Sequence, residues 1–378
     1  MNKKKIIIGC SISFGIFMLV IAGAGIFIYF NYSKPYWDFE PPKMPPELAD
    51  AKIIIGAEKI TRQIVFQDDR LGVISDLVYK ELDSKPGLEF GVAASNGAAF
   101  LEKNFKVKNV VLFSSKADHV DFVDIESDGI CEYISRGSWC TDASLIGHTG
   151  NTIWTYGGSS GVDDMAVGDI DHDGIIDFVV GFNGGSGVHR VSIEGERLWR
   201  RKDGNVWHVE VVDTNGDHIS EIVHSNAAGQ MIVRNSEGEI LSKKRLKPYF
   251  SDFSICRWPS KNDQEYALLS EDDTIWLFDF DGNSIKQYEA PYCGDLGDAR
   301  GATLLDANGS NNFIVVVNHH NWQRSILYWF NSIGDLIYQE ILAEQSAAIT
   351  SIKIDQSGKE SLLIGGNGKV WQYELKNL

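Results

Sequence analysis

The sequence predicts an all-β fold: a seven-bladed β-propeller of four-stranded antiparallel blades, closed by an N-terminal strand, plus one N-terminal transmembrane helix. Three observations lead there. One segment recurs seven times at a spacing in the mid-forties, no helix of convincing length follows Phe30, and three lysines precede a long uncharged apolar run at the N terminus. Short apolar or alternating runs broken by Gly, Asn and Asp clusters signal strands. Four such strands at this period describe a propeller blade, and seven blades close a ring.

Residues 1–5 read as a cytoplasmic tail. Lys3, Lys4 and Lys5 lead into the apolar run from Ile6 to Phe30. At about 1.5 Å per residue, a helix of that length crosses a hydrocarbon core of about 30 Å. The competing reading is a cleaved secretory signal ending at Ala22-Gly23-Ala24. Hydrophobicity continues past it to Phe30, which favours a signal anchor over 6–30. Cys10 lies too close to Lys5 for a lipoprotein signal and reads as a thiol within the span. Lysines on the short side place everything after Phe30 outside the cytoplasm, in a periplasm or at the cell surface. Residues 31–50 carry Pro35, Pro41, Pro42, Pro45 and Pro46 and read as a semi-rigid stalk, the alternative being an ordered strap along the domain.

The repeats fill 51–378. Their clearest register is an acidic loop followed by a strand: Asp124 to Glu132, Asp169 to Asp177 and Asp213 to Glu221. The ninth loop position falls at Glu89, Glu132, Asp177, Glu221, Glu265, Ile314 and Leu363, at intervals of 43, 45, 44, 44, 49 and 49 residues. Each copy has an apolar strand before the loop, a second strand after it, then a Gly/Asn-rich turn and a third strand. A Gly-x-x-x-aromatic segment often ends the unit, as in Gly150 to Trp154, Gly195 to Trp199 and Gly334 to Tyr338. The last copy stops after its third strand, and the segment from Ile53 to Phe66 precedes the first copy with no blade of its own. That segment is expected to supply the outer strand of the seventh blade and so remove an exposed edge. The competing architecture is a sandwich or a pair of β domains.

The chain is 43% hydrophobic, 11% aromatic and 23% charged over 378 residues, a globular composition. Its 52 acidic against 35 basic residues give a net charge of −17, and −20 once the three N-terminal lysines are set aside. Nothing supplies the basic stripe that nucleic acid requires, and anionic lipid is equally disfavoured as a docking surface.

The acidic loops resemble those of the FG-GAP/VCBS repeats of integrin-like propellers, strongly in copies two to four and weakly elsewhere over about residues 66–378. The resemblance implies calcium bound in a D-x-D-x-D-G-x-x-D loop between the first two strands of a blade. The chemistry agrees, because Ca²⁺ takes six to eight hard oxygens at about 2.3–2.6 Å and alternating carboxylates in a tight turn converge on one point. Copy three offers Asp169, Asp171, Asp173, the Ile175 carbonyl and Asp177. Copy four offers Asp213, Asn215, Asp217, the Ile219 carbonyl and Glu221, with His218 where the family has Gly and Gly216 two places earlier. Copy two offers Asp124, Glu126, Asp128, the Ile130 carbonyl and Glu132. Up to three structural Ca²⁺ are therefore expected; the alternative is that these are Asp/Asn-rich β-turns and nothing more. Copy one places Lys85 where a cation would sit, copy five is interrupted by Arg257 and Pro259, and copies six and seven lose the last carboxylate at Ile314 and Leu363. Copy six, with Asp306, is expected to hold its turn by Asx-type hydrogen bonds.

No His-Glu-x-x-His or phosphate-binding glycine loop before a helix is present. The face opposite the acidic loops is expected to display Trp139, Asn183, Trp207, His208, Arg300, His319, His320 and Trp322, residue types that bind partners or sugars or else pack locally. Cys131, Cys140, Cys256 and Cys293 are exported, and a Cys131–Cys140 link across one hairpin competes with four buried thiols. These features point to a membrane-anchored extracytoplasmic binding or scaffold module recognising a protein or glycan. Two rivals stand beside it. One is a propeller enzyme, akin to quinone-dependent dehydrogenases through the Gly-x-x-x-Trp segments or to polysaccharide lyases. The other is an envelope-assembly scaffold.

Overall fold

The structure, a computed structural model, describes residues 43–378 except 83–86, 116, 118, 137–141, 159, 248–249, 251, 259–263, 272, 294–297, 307–308, 320–321, 347, 354–359 and 377–378. The predicted tail, membrane span and most of the stalk lie outside the described residues. Among the described residues no helix is long and apolar enough to cross a membrane.

Seven antiparallel sheets follow in chain order. Two strands precede the first complete blade, β1 (Lys52–Ile55) and β2 (Ile60–Gln67). Blade one is β3 (Ile74–Lys80), β4 (Glu89–Ala94), β5 (Gly97–Leu101) and β6 (Val107–Leu112). Blade two is β7 (His119–Val123), β8 (Glu132–Arg136), β9 (Ala143–Ile146) and β10 (Thr152–Tyr156). Blade three is β11 (Val162–Gly168), β12 (Asp177–Phe182), β13 (Gly187–Val191) and β14 (Arg197–Arg201). Blade four is β15 (Val209–Val212), β16 (Glu221–Ser225), β17 (Gln230–Arg234) and β18 (Ile240–Arg245). Blade five is β19 (Ser254–Arg257), β20 (Glu265–Glu271), β21 (Thr274–Phe278) and β22 (Ser284–Glu289). Blade six is β23 (Asp298–Leu305), β24 (Asn311–His319), β25 (Arg324–Phe330) and β26 (Leu336–Ile341). Blade seven is β27 (Ile349–Lys353), β28 (Glu360–Gly365) and β29 (Lys369–Leu375).

Burial explains why the middle strands lack a period-two pattern. Strands β4, β5, β12, β13 and β16 are buried along their whole length, because neighbouring blades cover both faces. Outer strands such as β18 are largely exposed. The apolar clusters lie in the gaps between blades. Phe178, Phe182 and Val162 pack with Val123 and Leu145 between blades two and three, and Val179, Val188 and Ile222 fill the next gap.

The Gly-x-x-x-aromatic repeat has a direct cause. Gly195 and Gly238 have φ of +82° and +75° in the turns before the outer strands, a region that disfavours side chains. A Cβ on Gly195 would lie 3.1 Å from Trp154, and one on Gly238 would lie 3.1 Å from Trp199. Each Trp belongs to the preceding blade. Trp154 Nε1 donates to the Ile193 carbonyl at 2.9 Å, and Trp199 Nε1 donates to the Ser236 carbonyl at 2.8 Å. The repeat is thus a blade-to-blade staple in which the glycine makes room for the neighbour's indole.

The outer strand of blade seven is β2, paired with β29 as the sequence predicts. The earlier half of the same segment goes elsewhere: β1 pairs with β26 and becomes a fifth strand on blade six. Ahead of it a short 3-10 turn, Pro46–Leu48, is docked on that blade. Leu48 is fully buried, and Arg324 donates to the Leu48 and Ala49 carbonyls at 3.1 and 2.5 Å. The last residues of the predicted stalk therefore form the strap.

The loop register of the last two copies also departs from expectation. Strand pairing joins Leu304 to Asn312 and Lys353 to Glu360, so these loops are shorter than the others and the residues at Ile314 and Leu363 lie within their strands. Blade seven keeps a carboxylate at the strand start, Glu360, whose Oε2 accepts the Leu305 N–H at 2.7 Å.

Candidate functional site

Two charged regions stand out, one at each end of the blades' first strands. The acidic loops share one backbone shape. Their fourth and sixth residues are left-handed: Ser127 and Gly129, His172 and Gly174, Gly216 and His218. Copy four's departure from the family pattern is therefore an exchange, with its glycine spent on the fourth position and His218 on the sixth. In copies two and three the first carboxylate accepts the N–H groups of the fifth and sixth residues: Asp124 from Asp128 and Gly129, and Asp169 from Asp173 and Gly174, at 3.0–3.1 Å. In copy four Asp213 accepts from Asn215, Gly216 and His218. The fifth carboxylate accepts the seventh N–H at 2.8 Å in all three copies, at Ile130, Ile175 and Ile219. These are Asx-type bonds that use one oxygen of the fifth-position carboxylate; in copy four the other oxygen accepts the Asn215 side-chain amide at 3.1 Å. Asp306 of copy six holds its turn in the same way, accepting the Ser310 N–H at 2.9 Å.

The ninth position separates the copies. Glu132 and Glu221 accept the N–H of the second loop residue, Ile125 and Thr214, at 3.4 and 2.9 Å. Glu89 does the same for Leu82 at 3.2 Å and pairs with Lys108 at 2.7 Å. Lys85 lies outside the described residues. Asp177, one methylene shorter, is bound instead by Arg190 of β13, whose guanidinium bridges Asp177 and Asp171 and also reaches the Ser236 carbonyl. Burial raises the Asp177 carboxyl although Arg190 opposes it, whereas the Arg190 hydrogen bond lowers Asp171. Asp169, Asp171 and Asp173 bring one carboxylate oxygen each within 4.8 Å of one another, so the copy with the fullest motif does converge on a point. Its third and ninth carboxylates already hold a cation from the chain itself.

The second region is the axis. The first strands of the blades surround a cavity of about 360 Å³ lined by Asp76, Asp121, Arg136, Glu210 and Arg300 beside Met165, Val211 and Ile349. Arg136, the last residue of β8, pairs opposite His119. It donates to the Met165 carbonyl at 3.0 Å, lies 2.7 Å from Asp164 and 3.8 Å from Asp121. His208 is buried with Nδ1 at 2.5 Å from Asp164 and 3.5 Å from Asp252, and Nε2 at 3.1 Å from Glu210. Burial opposes protonation of His208, but Asp164 and Asp252 outweigh it and raise it to about 10. Asp164 is lowered because Arg136 and His208 overcome its burial. Burial and the Asp121 charge raise Asp76 to about 7, and burial with Asp298 raises Asp252 to about 7. His119 falls to about 4 through burial and Arg136.

Of the residues expected on the face opposite the acidic loops, His208 and Arg300 come together in this channel. Asn183 sits in the β12–β13 turn and Trp207, beside His208, is half-buried. His319 is buried and stacks on Trp322 with ring centres 4.5 Å apart, against the core of blades five and six. Trp139 and His320 lie outside the described residues, as does Cys140 of the considered Cys131–Cys140 link; Cys131, Cys256 and Cys293 are buried. Sequence reasoning missed Asp76, Asp121, Arg136, Asp164, Glu210 and Asp252. The repeated triplets His119-Val-Asp121 and His208-Val-Glu210, 89 residues or two blades apart, are a signal that marks two of them, Asp121 and Glu210.

No protein-family model matches the chain, and no curated protein does. Solved structures do. It is similar to two crystal structures of BBS1N in complex with ARL6DN. The one soaked with lead has 10% identity and a TM-score of 0.56, the one soaked with mercury 11% and 0.57, each over 84% of this chain and 97% of the other. The WD40 domain of Neurospora crassa Pan2 is 11% identical over 81% of this chain and 90% of that one, with a TM-score of 0.46. At such identities the likeness to BBS1N is one of fold, and the fold is a seven-bladed propeller.

Proposed function

We propose that the chain is a membrane-anchored, extracytoplasmic scaffold whose propeller binds a protein partner. The observation that carries this is the ring itself: a stapled seven-bladed propeller, the fold it shares with BBS1N, whose crystal structure is of a complex with ARL6DN. Fold alone does not choose a partner. The anchor over residues 6–30 and the positive-inside lysines supply the location. The loops of copies two, three and four, resembling FG-GAP/VCBS calcium loops, supply up to three structural Ca²⁺ held by their carboxylates and seventh-position carbonyls. In loop three the ion would share the carboxylates with Arg190, so loops two and four, where among the described residues no guanidinium bridges the acids, would gain more from it.

The test is purification of the full-length chain from its native membrane in mild detergent, with Ca²⁺ and in parallel with a chelator. A stoichiometric protein that is lost under chelation, together with a lower melting temperature, supports the scaffold and its cations. A glycan in place of a protein overturns the partner class. The absence of any partner, with melting indifferent to chelation, overturns both halves.

A further inference from the structure

The axial cavity is a built site of mixed charge. Asp76, Asp121 and Glu210 line it with Arg136 and Arg300, and Asp164, Asp252, Asp298 and protonated His208 adjoin those residues, six carboxylates against three cations in all. Acids therefore exceed cations by three. Arg136 and His208 are consumed by Asp164 and its neighbours, as above. Arg300 lines the cavity and, among the described residues, makes one direct hydrogen bond, to the Ala299 carbonyl at 3.2 Å; Asp252, Asp298 and Glu210 stabilise its charge without a direct ion pair, so most of its five donors lack a hydrogen-bond partner. The side chains of Asp121 and Asp252 are 31% and 34% exposed, and Asp121 lines the cavity. The volume falls within the range of about 300–1,000 Å³ typical of small-molecule sites.

We propose that this channel binds a small ligand of net positive charge with a carboxylate and an α-ammonium at one end and a second ammonium or guanidinium at the other, the chemistry of a dibasic amino acid. The carboxylate would take the open Arg300 fork, and the cationic end would lie between Asp76, Asp121 and Glu210. In the ligand-free ring, protons stand in for the missing cation. Asp76 faces Asp121 across the blade gap, with Lys80 on its own strand and the Phe122 N–H as donor; Asp252 faces Asp298, His208 and Arg300. Both aspartates hold their protons up to about pH 7, so a bound cation would expel them and bind more tightly as pH rises.

The experiment is titration calorimetry of the full-length chain in detergent with L-arginine and, separately, with agmatine, its decarboxylated analogue, at about pH 6 and about pH 8. The expected result is L-arginine binding that strengthens and releases protons between these two values, and a preference over agmatine of about tenfold to a hundredfold, the worth of a charged hydrogen-bonded pair. In Arg300→Gln that preference should vanish while agmatine binding stays. Asp76→Asn, a near-isosteric change, should reduce the proton release and weaken both probes, with the melting temperature recorded to show that each variant is folded. No heat from either probe at millimolar concentration overturns the proposal. So does binding in which folded Arg300→Gln keeps the wild-type preference. Neither outcome touches the partner-binding reading, which is scored by co-purification.

Discussion

Arg190 offers the most informative single substitution, because it decides how loop three balances its charge. Its guanidinium is 8% exposed and bridges Asp177, also 8% exposed, and Asp171, 33% exposed. Arg190→Met keeps most of the packing volume and removes the charge, leaving Asp177 buried without a partner. Breaking a buried pair in this way costs about 3–5 kcal/mol, and the water that reaches Asp171 reduces that to about 2–3 kcal/mol here. An unfolding entropy of about 2.1 cal/mol/K per residue over the roughly 330 residues of Pro45–Leu378 converts this to a fall in melting temperature of about 3–4 °C. The assay is thermal unfolding of the purified chain in chelator and in excess Ca²⁺. Freed of the guanidinium, Asp171 and Asp177 join Asp169 and Asp173, so Ca²⁺ should stabilise the variant by more than it stabilises wild type. Arg190→Lys, which keeps charge but loses the fork, should fall between the two. A variant that melts within about a degree of wild type in chelator would refute the counter-ion role. An equal calcium increment in both proteins would refute competition for the same oxygens.

Three further outcomes follow from the same geometry. His208 is raised from its ordinary value of 6.5 to about 10, so its contribution is complete below pH 6.5 and is lost as pH climbs through 10; a denaturant series over that window should show wild-type stability declining, and His208→Gln should remove most of the slope. Trp199→Phe deletes the 2.8 Å bond to Ser236 while keeping an aromatic ring, and should cost about 1 kcal/mol by denaturant midpoint, as should Trp154→Phe at the equivalent staple. Arg324→Ala removes the donors that hold the Leu48 and Ala49 carbonyls, so limited proteolysis should cut between Pro45 and Lys52 faster than in wild type, with the blades intact.

How much of this was legible in the sequence depended on whether a feature repeats along the chain or forms across it. Gly195 and Trp199 recur at blade spacing, so the staple was visible as a pattern before its geometry explained it. The acidic loops were visible for the same reason. The register of blades six and seven was not, because Ile314 and Leu363 are apolar strand residues that align with a carboxylate position only if the loop keeps its length. The fifth strand of blade six was hidden because Ile53, Ile54 and Ile55 run without a turn signal strong enough to separate them from β2. Arg190 lies 13 residues after Asp177 on another strand, and nothing local connects the two. The channel acids sit on different blades and meet only when the ring closes.

That closure sets a constraint of its own. The latches along the axis join odd blades to even ones at a constant separation of 45 residues. Ser75 Oγ donates to the Val120 carbonyl and accepts the Val120 N–H, both at 2.8 Å; Asp164 accepts the Val209 N–H at 2.9 Å; Ser254 Oγ donates to the Ala299 carbonyl at 2.6 Å. Blades one, three and five thus supply a short polar side chain, and blades two, four and six receive it. Seven is odd, so the alternation cannot run unbroken around the ring, and blade seven meets blade one by different means. There the backbone does the joining: Gly366 accepts the Ile74 N–H at 3.0 Å, Gly72 accepts the Gly368 N–H at 2.6 Å, and Val73 bridges Asn367. Side chains are excluded at two positions of this seam: a Cβ on Gly365 would lie 2.6 Å from the Ile74 side chain, and one on Gly368 would lie 2.6 Å from the Asp68 carbonyl oxygen. The strand β2, entering from the N terminus, is the outer strand of blade seven: its Phe66 packs in the cluster shared with blade one, and its Arg62 pairs with the buried Glu340 of blade six on the other side. The seam therefore concentrates glycine and borrowed strands because a two-blade repeat of side-chain latches has no partner left at the seventh position.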